Sequence, residues 1–493
     1  MKNIASVLSL TVLVAAFGMT AKAQGITWSA PMPVAAASFG NEHPRIALTA
    51  SGNPVVLWGH SMMNAAHFAR WTGSAFSTPV MLNPMSVSVF SASWAGPDIA
   101  AKGDTVYVVY KAEPEDTGYI FLRRSVDGGL TFGAPVQVTG AASVPNRFPA
   151  IGVDDAGHPI IGIMRFGPNF INGNWSVTKS SDWGTSFPTD VAASGYNGEE
   201  VCDCCPGAIA SRGANIAMLY RNNWNNKRTI WAGISSNGGA SFPAGKEVDN
   251  TNWVVNACPS TGPDGVIVGD TLYTVFMSGG GGVKVHYSKS TLAGTWSSGA
   301  IPAIGIVSGI ANQNYPRIAA DGNTAAMVWR HAKGSKSQIG MLFTTNIQSG
   351  FPQAWDSVVT SNNPSSVENV DVAIKGGTIH LVWEDGVTGQ VMYRKGTFAP
   401  TGITLPPVAN VLWLAPVPAD NSISVALSNG ATPPVYTVTI TDATGHQVYK
   451  QQHCNAASVI SISTAGLQDG AYLLQVTSAN GVQTQKFVVH HAH

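Results

Sequence analysis

One pattern recurs along most of the chain. It appears as HPRIALTASGNPVVLW, GPDIAAKGDTVYVVY, FPAIGVDDAGHPIIGI, CPGAIASRGANIAMLY, CPSTGPDGVIVGDTLYTVF, YPRIAADGNTAAMVW and NVDVAIKGGTIHLVW. Each copy opens on a proline or its equivalent and continues through a short apolar run. It turns at Gly, Asp or Asn and ends in an apolar-aromatic run. That grammar predicts two antiparallel strands around a tight turn. The anchors are Pro44, Pro97, Pro149, Pro206, Pro259, Pro316 and Val370, at intervals of 53, 52, 57, 53, 57 and 54 residues. A period of about 50 residues built from short strands predicts a β-propeller rather than a helical solenoid.

A third strand follows each pair, as in YIFLRRS or VKVHYSKS, and a fourth, as in TFGAPVQV, completes a blade. The seventh repeat stops after its third strand, QVMYRKG. The segment ITWSAPMPVA near the N-terminus resembles the missing fourth strand. It is expected to complete the last blade and close the ring, because an open ring would leave an unpaired strand edge. The expectation is an all-β, seven-bladed propeller over residues 24–398; one miscounted repeat would make it six or eight. Composition agrees: 53 glycines, 29 prolines and only 11% charged residues suit many short strands and turns.

The ends have other jobs. Residues 1–23 read as a secretory signal, with Lys2, an apolar run and Ala21-Lys22-Ala23 before Gln24. No later segment is apolar and long enough to span a bilayer, so the mature chain is expected in an oxidising compartment where disulfides persist. Lys plus Arg and Asp plus Glu are both 27, which gives no reason to expect a nucleic acid or an anionic membrane as partner. Residues 399–409 are a Pro-rich linker, and 410–493 change character.

Two resemblances follow from particular residues. SVDGGLTF (125–132), SSDWGTSF (180–187) and SSNGGASF (235–242) resemble the Asp-box of sialidases and other BNR-repeat propellers, with Asp127, Asp182 and Asn237 at the turn-forming position. The physical logic is a self-satisfied turn: the Asp or Asn bonds local amides and Gly takes a positive φ. In that family the boxes are scaffold. Residues 410–493, ending in DGAYLLQVTSANGVQTQKFVV, resemble the C-terminal sorting domain of the type IX secretion system, a small β-sandwich. This resemblance implies export by the type IX machinery to the surface or surroundings of a Bacteroidetes-type bacterium.

First strands start and second strands end at one mouth of the ring, where loops from many blades converge. Cys205 and Cys258 each precede an anchor proline in neighbouring repeats, and Cys202 and Cys204 lie just before them. Four thiols together in an exported chain predict two disulfides, one joining blades four and five through Cys258. Four cysteines allow three connectivities. A copper or zinc site and a redox-active thiol are the alternatives; no cofactor is otherwise expected.

The sialidase resemblance also implies an arginine clamp for a substrate carboxylate, with Arg45 of HPRIA as the best match and Arg221 and Arg330 as further candidates. It implies a tyrosine nucleophile activated by a carboxylate and an acid/base Asp; Tyr315, Glu384 and Asp98 are the candidates. Three functions stay open. One is a sialidase-like enzyme acting on a glycan or glycoprotein. Another is a propeller that binds glycan or protein without turnover. The third is a metal or redox protein using the cysteine cluster.

Overall fold

The computed structural model describes residues 25–115, 117–138, 145–305, 307–352, 354–361, 363, 367–398, 411–428, 435–454, 459–478 and 481–491. The signal segment 1–23 and the linker 399–409 lie outside the described residues. The chain divides into two compact units, 1–400 and 401–493.

The first unit is a ring of seven antiparallel sheets, each of four or five strands. The strand nearest the axis in each is Asn41–Leu48, Asp98–Lys102, Asn146–Val153, Ala208–Arg212, Asp264–Val268, Ile310–Asp321 or Glu368–Lys375. Each of these touches the next, and the last touches the first, so the circuit is closed. The N-terminal segment completes the seventh blade: Thr27 pairs with Thr397, Trp28 with Gly396, Met32 with Tyr393 and Pro33 with Met392. Gly396 is required there, since a Cβ would come within 2.9 Å of the Trp28 ring. The Arg394 guanidinium lies 5.3 Å from the centre of a Trp28 ring and donates to Ser29 O at 2.7 Å, which fixes the closure on its outer side.

The second strands read as uninterrupted apolar runs because both of their faces are covered; Pro54–His60 is buried throughout. Each blade packs on the next. Leu57, Phe68, Val108 and Tyr110 share one cluster across blades one and two, and Val56, Trp58, Val382 and Tyr393 share another across blades one and seven. The recurring aromatics Trp58, Tyr110, Tyr220, Trp329 and Trp383 are all buried in this packing rather than arrayed as a sugar-stacking ring.

The Ser-x-Asp turns satisfy themselves as their chemistry requires. Ser125 donates to Asp127 at 2.7 Å, Gly129 N–H donates to Ser125 Oγ at 2.9 Å, and Thr131 donates to Asp127 through both N–H and hydroxyl. Ser180, Asp182 and Ser186 repeat this arrangement. At the third turn the last bond reverses: Asn237 Nδ2 donates to Ser241 Oγ at 2.8 Å.

The second unit is a β-sandwich of a three-stranded and a four-stranded sheet. Leu414, Ile423 and Val425 from one sheet and Val438, Leu474 and Phe487 from the other share one apolar core. Among the described residues no helix is long and apolar enough to cross a membrane.

Candidate functional site at the channel mouth

The backbone that forms the mouth is a repeated bulge. In four blades two residues face one: His43-Pro44 opposite Trp58, Phe148-Pro149 opposite Ile163, Tyr315-Pro316 opposite Trp329, and Asn369-Val370 opposite Trp383. The first residue of each pair has a positive φ: 54° at His43, 46° at Phe148, 50° at Tyr315 and 39° at Asn369. Non-glycine residues rarely adopt this region, and holding one there costs on the order of 1–3 kcal/mol. The surrounding ladder holds it, and the bulge places all four side chains on one pocket.

That pocket, open to solvent, is walled by Trp94, Phe148 and Tyr315 with His43, Asn369, Arg45 and Arg317 among its polar lining. The residue after each anchor faces the axis, so Arg45, Asp98, Asp264, Arg317 and Asp371 form a charged ring of two guanidinium groups and three carboxylates. The carboxylates knit the blades together. Asp98 accepts Ile151 N–H at 3.0 Å, Asp264 accepts Ile318 N–H at 3.0 Å, and Asp371 accepts Ile46 N–H at 2.9 Å. Arg317 sits 3.7 Å from both Asp264 and Asp371. Burial opposes its charge, but Asp264, Asp371 and Asp98 outweigh that and hold its pKa above the usual value.

Arg45 is less well served. It donates to Pro44 O at 2.9 Å and faces His43 Nδ1 at 3.4 Å, while its Nε is buried without a hydrogen-bond partner. Burial, and then the charge of Arg317, bring its pKa down to about 10. His43 is kept neutral by burial and by the Arg45 charge. Trp94 Nε1 is likewise buried and unpaired.

Glu384 stands at the rim, accepting Asn369 Nδ2 at 2.9 Å and His43 N–H at 3.3 Å. Burial raises its pKa to about 7; those two bonds pull the other way, and the charges of Glu42 and Glu368 add to the rise. The Tyr315 phenol is also pushed up, first by burial and then by Glu368 and Glu384.

The pocket thus gathers Tyr315, Arg45 and Asp98, with Glu384 beside it, but not the full clamp. Arg221 is fully buried, and its three nitrogens donate to the carbonyls of Thr261, Arg228 and Met277. It is a tie between blades four and five. Arg330 lies at the rim, donating to Val367 O and pairing with Glu368 at 3.2 Å. Both Asp98 oxygens accept backbone amides, from Ile99 at 2.9 Å and Ile151 at 3.0 Å, a bonding pattern that suits a structural role better than proton transfer. Trp94 and Arg317 are additional pocket residues. Trp94 belongs to the loop SASWAGPD that runs straight into Pro97, a position from which it could have been read.

The cysteines flank the pocket. In blade four, residues 202–207 stand opposite only Tyr220 and Arg221, an enlarged version of the bulge. Cys204 is joined to Cys258 by a disulfide with Cα atoms 6.1 Å apart, linking blades four and five. The repeat anchor of blade five is Pro263, not Pro259: its inner strand begins at Asp264, and Gly262 is the counterpart of Cys205. A Cβ on Gly262 would fall 2.0 Å from Pro206 O, so the two blades approach too closely there for a cysteine. The expected second bridge is not formed; Cys202 and Cys205 are buried thiols with Sγ atoms 2.9 Å apart. Cys202, Cys204 and Cys205 hold their sulfurs within 4.8 Å of one another, but the bridge occupies Cys204, leaving two thiols where zinc sites use three or four protein ligands.

Residues 414–490 match the family described as the secretion system C-terminal sorting domain. The second unit is therefore a sorting domain, and the protein is exported by the type IX route to the surface or surroundings of a Bacteroidetes-type cell. No curated protein matches the chain. Similar solved structures include a Dyadobacter fermentans protein of unknown function, at 9% identity and TM-score 0.45, covering 76% of this chain and all of that one. The GH93 α-L-arabinofuranosidase of Fusarium graminearum in complex with arabinobiose is similar at 11% identity and TM-score 0.43, over 75% of this chain and 98% of that one. Trypanosoma rangeli sialidase is similar at 9% and 0.42, over 93% of this chain and 85% of that one.

Proposed function

We propose that this exported propeller engages a glycan at the channel mouth. The observation that carries the reading is the pair of unpaired buried donors, Trp94 Nε1 and Arg45 Nε, on residues that line one pocket with Tyr315, Asn369 and His43. An unpaired buried donor costs about 1–3 kcal/mol, which a ligand's hydroxyl or carboxylate oxygens would offset on binding. Aromatic faces among a few fixed polar groups suit a sugar ring and its hydroxyls. The test is a glycan array with the mature protein, followed by Arg45→Ala and Trp94→Ala. Retention of defined glycans, weakened in both variants, supports the reading; no retention at any glycan removes it.

Turnover is the second reading, favoured by Glu384 near Tyr315 with a pKa of about 7. In it the Tyr315 oxygen attacks the anomeric carbon as its proton passes to ionised Glu384. Asp98 is a poor donor to the leaving oxygen, its carboxylate being engaged by two amides. Glu368, raised by burial, is the remaining rim carboxyl for that proton. Fluorophore release from aryl glycosides, sialosides included, abolished by Tyr315→Phe, would support it; binding without release leaves the first reading alone.

A further inference from the structure

Three of the four propeller cysteines are connected through one sulfur. Cys202 Sγ is 2.9 Å from Cys205 Sγ and 3.5 Å from Cys204 Sγ, and Cys204 is bonded to Cys258. Cys202 and Cys205 are buried, Cys204 is half-buried and Cys258 is exposed. Two cations stand over the buried pair: Arg228 Nη1 lies 3.2 Å from Cys202 Sγ, and Arg221 is near enough to act on both sulfurs. A thiol pair beside guanidinium groups and in contact with a disulfide has what thiol–disulfide exchange needs: a stabilised thiolate and a sulfur within reach.

We propose that the four cysteines form an internal exchange site in which the bridge between blades four and five is transferred to the buried pair. Cys202 passes its proton to Cys205 and attacks Cys204 Sγ; a Cys202–Cys204 bond forms, the Cys204–Cys258 bond breaks, and Cys258 leaves as a thiolate. Cys205 then attacks Cys202 Sγ, forming Cys202–Cys205 and releasing Cys204. One disulfide and two thiols stand on each side of the reaction, and the protons lost by Cys202 and Cys205 are taken up by Cys204 and Cys258. No outside oxidant or reductant is consumed.

Cys205 is suited to the second attack. Burial works against its ionisation, but the hydrogen bond from Cys202, the charges of Arg221 and Arg228, and a backbone bond at Thr261 bring its pKa to about 7. Cys202 is pushed up in turn by its hydrogen bond to Cys205 and by burial. The transfer has a consequence at the pocket. Pro206 and Gly207 on one side, and Thr261 to Pro263 on the other, line it just beyond the bridged cysteines. Moving the bond unties these two parts of the rim and leaves an exposed thiol at Cys258. This exchange does not depend on the glycan reading.

The test uses the mature full-length protein, poised in glutathione buffers of graded ratio, quenched with acid, alkylated with N-ethylmaleimide after unfolding, and digested for mass spectrometry. The Cys204–Cys258 form yields two joined peptides with Cys202 and Cys205 alkylated. The transferred form yields a separate Cys258 peptide carrying one maleimide and a partner peptide closed between Cys202 and Cys205. Both forms are expected in the one-bond fraction, and Cys202→Ser should lose the second. Cys205→Ser should instead accumulate the Cys202–Cys204 bond, which keeps the test open if Cys202→Ser folds poorly. A one-bond fraction holding only Cys204–Cys258 at every ratio overturns the proposal. So does a one-bond fraction that never appears, or stoichiometric zinc or copper on the purified protein with all four thiols titratable after its removal.

Discussion

Asp371 accepts the backbone N–H of Ile46 at 2.9 Å, joining the seventh blade to the first across most of the chain's length. Asp98 to Ile151 and Asp264 to Ile318 are the same bond at the same repeat position in other blades. Asp371 also faces Arg317 at 3.7 Å, so removing its carboxylate strands an amide and takes a counter-charge from a buried guanidinium. Asp371→Ala is expected to cost about 1.5–3 kcal/mol, in the range for hydrogen bonds to charged groups. Asp371→Asn, which keeps an acceptor for Ile46, should cost less. Urea midpoints at constant slope measure both; equal costs would mean that the charge, not the amide bond, is what matters.

The raised carboxyl of Glu384 makes stability depend on pH in a stated direction. Its ordinary value is 4.5 and its folded value about 7, so between these the folded protein holds a proton that the unfolded chain has lost. Stability should therefore fall as pH rises from 4.5 through 7, by roughly 3 kcal/mol from this group alone. Glu384→Gln should flatten that slope. Thermal melts of the two proteins from pH 4.5 to 8 give the comparison, and parallel slopes would place the carboxyl in an ordinary environment.

How much of this was legible follows from what a repeat encodes. Strand pairs, the blade order and the closing strand at Thr27–Trp28 could be read because apolar runs and turns recur at a fixed period. The anchor of blade five was misplaced because CPSTGPDG offers two prolines, and only the pairing of Asp264 with Val275 decides between them. Arg221 lies near the end of a second strand, as a mouth residue should, yet it is turned between blades. Periodicity assigns a position along a strand; it does not say where an enlarged bulge such as 202–207 redirects the side chains opposite it. The positive φ at Phe148 and Tyr315 has no local signal either, because neither is glycine or one of the polar residues that visit this region.

Arginines that look equivalent in the sequence should separate in experiment. Arg45 has an unpaired Nε on the pocket, whereas every nitrogen of Arg221 is bonded to a carbonyl. Arg45→Ala is expected to weaken glycan binding by about tenfold or more, the loss of one charge-assisted bond, with a small change in melting temperature. Arg221→Ala strands three buried acceptors and should cost upwards of about 3 kcal/mol. Calorimetric binding and unfolding curves on both variants test this; an Arg221→Ala protein of parental stability would show that the carbonyls find water instead.

The self-bonded turns supply an internal control for charge. Asp127, held down to about 2 by its bonds to Ser125 and Thr131, lends stability above its unfolded value near 4 and loses it as pH falls toward 2. Asn237 makes the third turn without a carboxylate, its amide donating to Ser241. Asp127→Asn with Thr131→Ser should thus rebuild the third turn in the second blade and melt near the parent, while Asp127→Ala should melt lower. An Asn/Ser variant as damaged as the alanine one would mean that this turn needs its negative charge.

The sorting domain and the ring keep separate cores, which allows export to be separated from folding. The apolar cluster of Leu412 to Val489 contains no propeller residue, and the last blade-packing residue of the ring is Phe398. A chain ending before Val411 therefore keeps every residue of the ring's apolar clusters. It is expected to fold with the parental near-ultraviolet circular dichroism and unfolding midpoint of the ring, yet to be retained in the cell envelope when produced in a bacterium with the type IX system. Fractionation with an antibody to the propeller reads the second outcome. A truncated chain that folds and still reaches the surface or medium at the parental level would mean that residues 414–490 are not what directs its release.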